Sequence, residues 1–333
     1  MLHILNGDAT ANILQETDLP GELLPWREAL IAGPTPSGLP FDEWINLRAN
    51  HLSEDYEKSV DECKASLCNQ EEVLRTFSKH EEVVLWFEHD LFCQINLIYL
   101  LNFFSLQKEN QTRLSLICID DFAGIESFKG LGQLSPSQLA SLFERRKDIT
   151  QNMLALGNEA WAAYCSPNPT HVETFLQKDS SELPFLKKAL LAHLVRFPAL
   201  KNGLGRVEKV TLDLITGGID QFKALFPMFG ELEPVYGFGD AQFWNYLKCL
   251  SNLKTPLITI SGVNEIDRSL SNEEFITSFF KITEKGKAVL NGEEELQEID
   301  SWLGGVPLNG ETDLWRWDEQ NRRLIKKQEN PKA

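Results

Sequence analysis

The stretch EVVLWFEHDLFCQINLIYLLNFF, residues 82 to 104, decides how the rest of the chain is read. Val83 to Phe87 show no polar alternation, the pattern of a strand covered on both faces, as in the middle of a parallel sheet. Glu88, His89 and Asp90 follow, and then a mostly apolar segment of helical length. Asp90 is a residue type that caps helices by accepting from first-turn N–H groups. Gln94 lies one turn along the same face, directed back towards the strand end. Ligands of open α/β folds bind outside the C-terminal ends of the strands, so the junction locates a candidate site without naming a reaction.

Working outward, Leu2 to Leu5 is a short apolar strand ending in Asn6-Gly7-Asp8. Ala9 to Gln15 then reads as a helix, Pro20-Gly21 as a turn, and Glu22 to Trp26 as a second strand. Residues 41–51 and 53–79 read as two charged helices covering one sheet face. Arg113 to Ile119 forms a fourth strand and ends in Asp120-Asp121. Four such strands predict the order 2-1-3-4, with a switch point between the first and third. Asp8 and the Glu88 to Asp90 triplet would then face each other across a crevice.

From Gly130 the pattern turns helical, with helices expected at Ser135 to Arg146, Thr150 to Cys165, Thr170 to Gln177 and Pro184 to Phe197, the last with Pro at its first position. Further helices are expected at Leu204 to Ile215, Ile219 to Phe226 and Asp240 to Leu250. Strands follow at Leu257 to Ile260 and Phe279 to Ile282, the second running into Thr283-Glu284-Lys285-Gly286. Three helices and a two-stranded wing make a winged-helix plan. A helix near Leu296 to Leu303 and a Trp-rich strand pair, LWRWD and RRLIKK, complete the tail. The expected fold class is therefore α/β: a Rossmann-like parallel-sheet domain over 1–125, a helical connector over 126–202, and a winged-helix-like domain with a Trp-rich tail over 203–333.

The bulk numbers narrow the function. The 333 residues carry a net charge of −17 and a sequence pI near 4.9, which opposes nonspecific binding to nucleic acid or to an anionic membrane. The cysteines, Cys63, Cys68, Cys93, Cys118, Cys165 and Cys249, show no CxxC pair and read as reduced thiols, structural or incidental. No secretory signal is evident and no apolar run is long enough to span a bilayer, so a cytoplasmic protein is expected.

LHILNGDAT, LPGELLPWREALIAGP, VVLWFEHDLFCQINLIYLL and SLICID together resemble the bacterial domain-of-unknown-function family 1835. FKGLGQLSPSQL, GFGDAQFWNYL and SWLGGVPLNG resemble segments that accompany it in full-length members. The resemblance implies that Asn6, Gly7, Asp8, Trp26, Arg27, Glu88, His89, Asp90 and Gln94 are motif positions. It brings no activity, cofactor or partner with it.

Asp8, Glu28, Glu88, Asp90, Asp120 and Asp121 all fall at strand ends, and carboxylates crowded into one crevice repel unless a cation shares the site. Mg²⁺ or Mn²⁺ with oxygen ligands would neutralise them, with Asp8 and Glu88 as the metal ligands. His89 and Asp90 are the catalytic candidates, His89 as the proton carrier. Asn6, Gly7, Asp8, Trp26, Arg27 and Gln94 are the ligand-binding candidates, with Arg27 suited to a phosphate or carboxylate. Helix caps and solvated loop residues are the other reading of the same positions. No G-x-G-x-x-G, Walker, G-x-S-x-G or H-E-x-x-H signature occurs.

The expected function is binding of a small polar or phosphorylated ligand at the sheet edge, as an enzyme or a ligand sensor. A DNA-binding regulator or protein-interaction adaptor acting through the winged unit is the alternative. DNA is the weaker partner, since the expected recognition helix carries Lys248 as its single basic residue, and a protein partner or self-association suits that unit better. The compact basic cluster Arg322, Arg323, Lys326 and Lys327 reads as a solvated strand.

Overall fold

The computed structural model describes residues 1–107, 111–262, 277–296, 301–308 and 314–327. Its centre is a five-stranded sheet in the order β2-β1-β3-β4-β5. Strand β1 (Leu2–Leu5) lies parallel between β2 (Glu22–Pro25) and β3 (Glu82–Glu88), reached through helices α1 (Asp8–Gln15), α2 (Phe41–Tyr56) and α3 (Val60–Arg75). Helix α4 (Leu91–Ser105) returns the chain to β4 (Arg113–Ile119), which pairs parallel with β3. All seven residues of β3 are buried, as its unbroken apolar run requires. The first four strands thus take the order expected.

Helix α5 (Pro136–Ser141) precedes β5 (Lys147–Asp148), an antiparallel edge strand on β4 that the sequence does not announce. The helix expected over Ser135 to Arg146 is cut short because Arg146 turns inward, its Nε 2.8 Å from Glu82 Oε1, and draws the chain along the sheet. Helices α6 (Gln151–Tyr164), α7 (Thr170–Leu176) and α8 (Leu186–Leu194) follow, and α6 packs along the apolar face of α4. Helix α8 starts later than expected, because Leu183 N bonds Ser180 O at 2.9 Å and Leu186 N bonds Leu183 O at 3.1 Å. Pro184 therefore sits in a turn rather than at the first helical position.

Helices α9 (Arg206–Thr216), α10 (Phe222–Leu232) and α11 (Asp240–Ser251) come next. Helix α10 runs through Pro227, past the expected end at Phe226. Strands β6 (Ile258–Ser261) and β7 (Phe279–Ile282) pair antiparallel, with Ile258 opposite Ile282. The chain after it forms α12 (Glu284–Asn291), because Thr283 Oγ1 caps it by accepting from Gly286 N at 2.9 Å. In the tail, Trp302 and Leu303 belong to a strand, β8 (Trp302–Leu303), paired with β9 (Val306–Pro307), so the end of the helix expected near 296–303 is replaced by a hairpin. Residues 297–300 of that expectation lie outside the described residues. The Trp-rich pair forms as expected, β10 (Leu314–Asp318) against β11 (Arg323–Lys327).

One apolar cluster runs from Leu2 in β1 to Leu324 in β11, so the main core is continuous across the boundaries expected near 125 and 202. All six cysteines are unpaired. No helix among the described residues is long and apolar enough to cross a membrane.

Candidate functional site

The C-terminal edge of the sheet is fixed by backbone bonds between neighbouring strand ends. Asn6 N donates to Trp86 O at 3.1 Å and Trp26 N to Leu5 O at 2.8 Å, which brings residues 6–8, 26–28 and 88–90 to one edge. Gly7 enters α1 at φ 152° and ψ −177°, a conformation essentially confined to glycine. A Cβ there would meet nothing within 4 Å, so the glycine answers a backbone need and leaves the space beside it open.

Glu88 and Asp90 are both buried. The Glu88 carboxylate accepts from Leu131 N and, at 3.1 Å, from Cys93 Sγ. Asp90 caps α4, its Oδ1 accepting from Cys93 N at 2.8 Å. Donor atoms of Glu88, Asp90 and Cys93 all lie within 4.8 Å of one another, a group able to hold a metal ion. Two glycines let other segments close over it. A Cβ on Gly130 would lie 2.7 Å from Glu88 Oε1, and one on Gly237 would lie 2.3 Å from Asp90 Cγ.

Burial, first, and then the charge of Asp90 push the Glu88 carboxyl up to about 7. Burial likewise raises Asp90, and it raises the Cys93 thiol with further help from both carboxylates. A cluster of this kind retains protons near neutrality unless a cation takes their place.

The other expected residues divide between two adjoining cavities. The first, about 520 Å³, opens beside α1 and is lined by Asn6, Gly7, Asp8, Trp26 and Arg27. The second, about 600 Å³, has Glu88, His89, Asp90 and Cys93 on one side and Phe226, Phe229 and Phe238 on the other. Asn6, Tyr56 and Phe92 border both.

Asp8 and Glu88 therefore do not belong to one cation-ligating group among the described residues. Asp8 instead accepts from Arg27 Nη2 at 2.7 Å and Nε at 2.9 Å, in an ion pair more than half exposed on the Asp8 side. The Arg27 guanidinium holds the Asp8 carboxyl below its usual range. Asp8 is also the first helical residue rather than a cap, since Gly7 occupies that place. Gln94 is 1% exposed and donates to Glu88 O at 2.7 Å, so it secures the strand end and borders neither cavity. His89 lines the second cavity edge-on to Phe185, ring centroids 6.1 Å apart, and its Nδ1 is buried without a hydrogen-bond partner among the described residues.

Glu28 is not an open crevice carboxylate. It is buried in a pair with the fully buried Arg48, Nη2 to Oε1 2.6 Å, and Arg48 Nη1 also donates to Ala32 O at 2.8 Å. Asp120 and Asp121 are exposed beyond β4 and border neither cavity.

Three contributors were not singled out in the sequence: Cys93, Gly130 and Gly237. Cys93 carried one signal, its place three residues after the capping Asp90, where the first turn brings side chains back to the cap. Gly130 and Gly237 reach the site only through tertiary packing. No protein-family model matches this chain, and no curated protein is significantly similar to it.

Proposed function

We propose that the protein binds a divalent cation at Glu88, Asp90 and Cys93 and, in the cavity above it, a small polar ligand. The observation that carries this reading is the burial of two carboxylates and a thiol within 4.8 Å of one another at a cavity of about 600 Å³. Buried like charges favour a bound cation, and a sulfur beside two carboxylates suits Mn²⁺ or Zn²⁺ better than Mg²⁺. Asp90 then serves as cap and ligand together. His89, bordering the same cavity with an unpartnered ring nitrogen, is the group to move a proton on the bound ligand. The parallel order of the first four strands supports the Rossmann-like reading, and with it a ligand at this edge. Membership of domain-of-unknown-function family 1835 is part of the same proposal.

A winged-helix-like reading of α9 to α11 with the β6–β7 pair fits a ligand sensor better than a DNA-binding regulator. Lys248 of α11 lies 3.5 Å from Glu57, and Asn245 Nδ2 donates to Asp55 O at 2.9 Å, so the polar side of α11 faces the end of α2. Phe226 and Phe229 of α10 line the ligand cavity, which ties the C-terminal unit to its occupant. Turnover separates enzyme from sensor.

The test is a thermal-shift screen of nucleotides and small metabolites with and without Mn²⁺ or Zn²⁺, repeated on Asp90→Asn and His89→Ala. A ligand that binds the native state raises Tm by mass action. The reading expects a cation-dependent rise in the wild type that Asp90→Asn removes. A rise of the same size in both variants would sink it.

A further inference from the structure

The proposed cation reading leaves the first cavity unused, although its donors form a second site on the other side of Asn6. Helix α1 starts at this space, with Gly7 and Asp8 among the lining residues, and has no side-chain cap, so its first-turn N–H groups retain their donor capacity and the positive end of the helix dipole. Gly7 leaves the approach to that turn open. Independently, Trp26 lines the cavity while 3% exposed, and its indole N–H is buried without an acceptor among the described residues. An indole N–H can only donate, so it is satisfied by an acceptor and by nothing else.

The charges around the cavity point the same way. Lys58 borders it and is exposed, and its charge acts through space on Asp8 and Glu62. Two of the negative groups at this cavity are ion-paired, Asp8 with Arg27 and Glu28 with Arg48, while the exposed Glu62 caps its own helix, accepting from Ser59 N at 3.1 Å, and keeps its charge at the solvent side. The donors of Gly7, Asp8, Trp26 and Lys58 thus border one cavity.

We propose that this cavity seats an oxyanion, a phosphate or carboxylate group, received by the first turn of α1, Trp26 Nε1 and Lys58, with Arg27 shared between it and Asp8. The inference deepens the proposed function. Because Asn6, Tyr56 and Phe92 border both cavities, the oxyanion would be one end of a two-part ligand whose other end reaches the Glu88–Asp90–Cys93 group.

The experiment uses inorganic phosphate in one arm and malonate in the other, at matched ionic strength and with EDTA throughout, so that its outcome does not depend on any cation. Wild type, Trp26→Phe and Lys58→Met are compared by thermal shift. Trp26→Phe keeps an aromatic ring and removes the donor, and Lys58→Met changes an exposed residue, so one variant stays folded even if the other does not. At ten times Kd the wild type should gain about 2 °C, with each folded variant showing less than about half of that. A gain with phosphate alone identifies a phosphate site, and one with malonate alone a carboxylate site. No gain with either anion, or equal gains in wild type and variants, overturns the oxyanion site and leaves the cation reading standing.

Discussion

Gly237 closes directly over Asp90: a Cβ at residue 237 would lie 2.3 Å from Asp90 Cγ, across 147 positions of sequence. This contact makes the turn before α11 part of the wall around the buried carboxylates. Gly237 also holds φ at +64°, where a side chain is strained whatever the space. Gly237→Ala should therefore cost about 2 to 4 kcal/mol, combining backbone strain with overpacking. Gly38, at φ +81° with nothing near its Cβ position, is the comparison. Gly38→Ala should cost only about 1 to 2 kcal/mol. Equal losses in urea denaturation would show that the Gly237–Asp90 contact carries no weight.

Stability should depend on pH through Glu88. Its carboxyl is raised from 4.5 to about 7 in the folded protein, so the native state binds a proton that the unfolded chain has released. The resulting stabilisation is full below pH 4.5 and is lost as pH rises through 7. The loss across this window is on the order of 3 kcal/mol without cation. Asp90, also raised, contributes with the same sign. In EDTA the wild type should lose Tm from pH 5 to pH 8, and Glu88→Gln should flatten the profile. A wild-type Tm that stays level over that range would contradict the assignment.

The buried Glu28–Arg48 pair should behave as one unit. Arg48→Met leaves Glu28 buried without its cation, and breaking such a pair costs about 3 to 5 kcal/mol. Adding Glu28→Gln removes the orphaned charge and should recover part of that loss. Chemical denaturation of the two single variants and the double variant checks it, and strictly additive losses would mean that the two side chains do not interact energetically.

The central strand was legible because both its faces are buried, which removes polar alternation and leaves a run that only an interior strand explains. From it the parallel order of the first four strands followed, and the Asp90 cap with it. Strand β5 was not legible, since two residues carry no periodicity. Glu28 looked like Asp8 and Glu88, a carboxylate at a strand end. Nothing local told that Arg48, twenty residues on in α2, would bury against it. Cys93 passed as an incidental thiol because its partners are carboxylates on the preceding strand and loop rather than a second cysteine. The aromatic wall from Phe226 to Phe238 faces the sheet edge through tertiary packing, which no spacing within its own segment reveals.

The central claim is tested most directly by calorimetric titration of Mn²⁺, and separately Zn²⁺, into the wild type and Glu88→Gln. The titration is run at pH 6 and pH 8, in buffers of different ionisation enthalpy so that released protons are counted. The account predicts binding that strengthens with pH, release of protons on binding, and a loss of about tenfold or more in affinity for Glu88→Gln. If neither cation binds at pH 8, or if Glu88→Gln binds them as the wild type does, the Glu88–Asp90–Cys93 group is not a cation site.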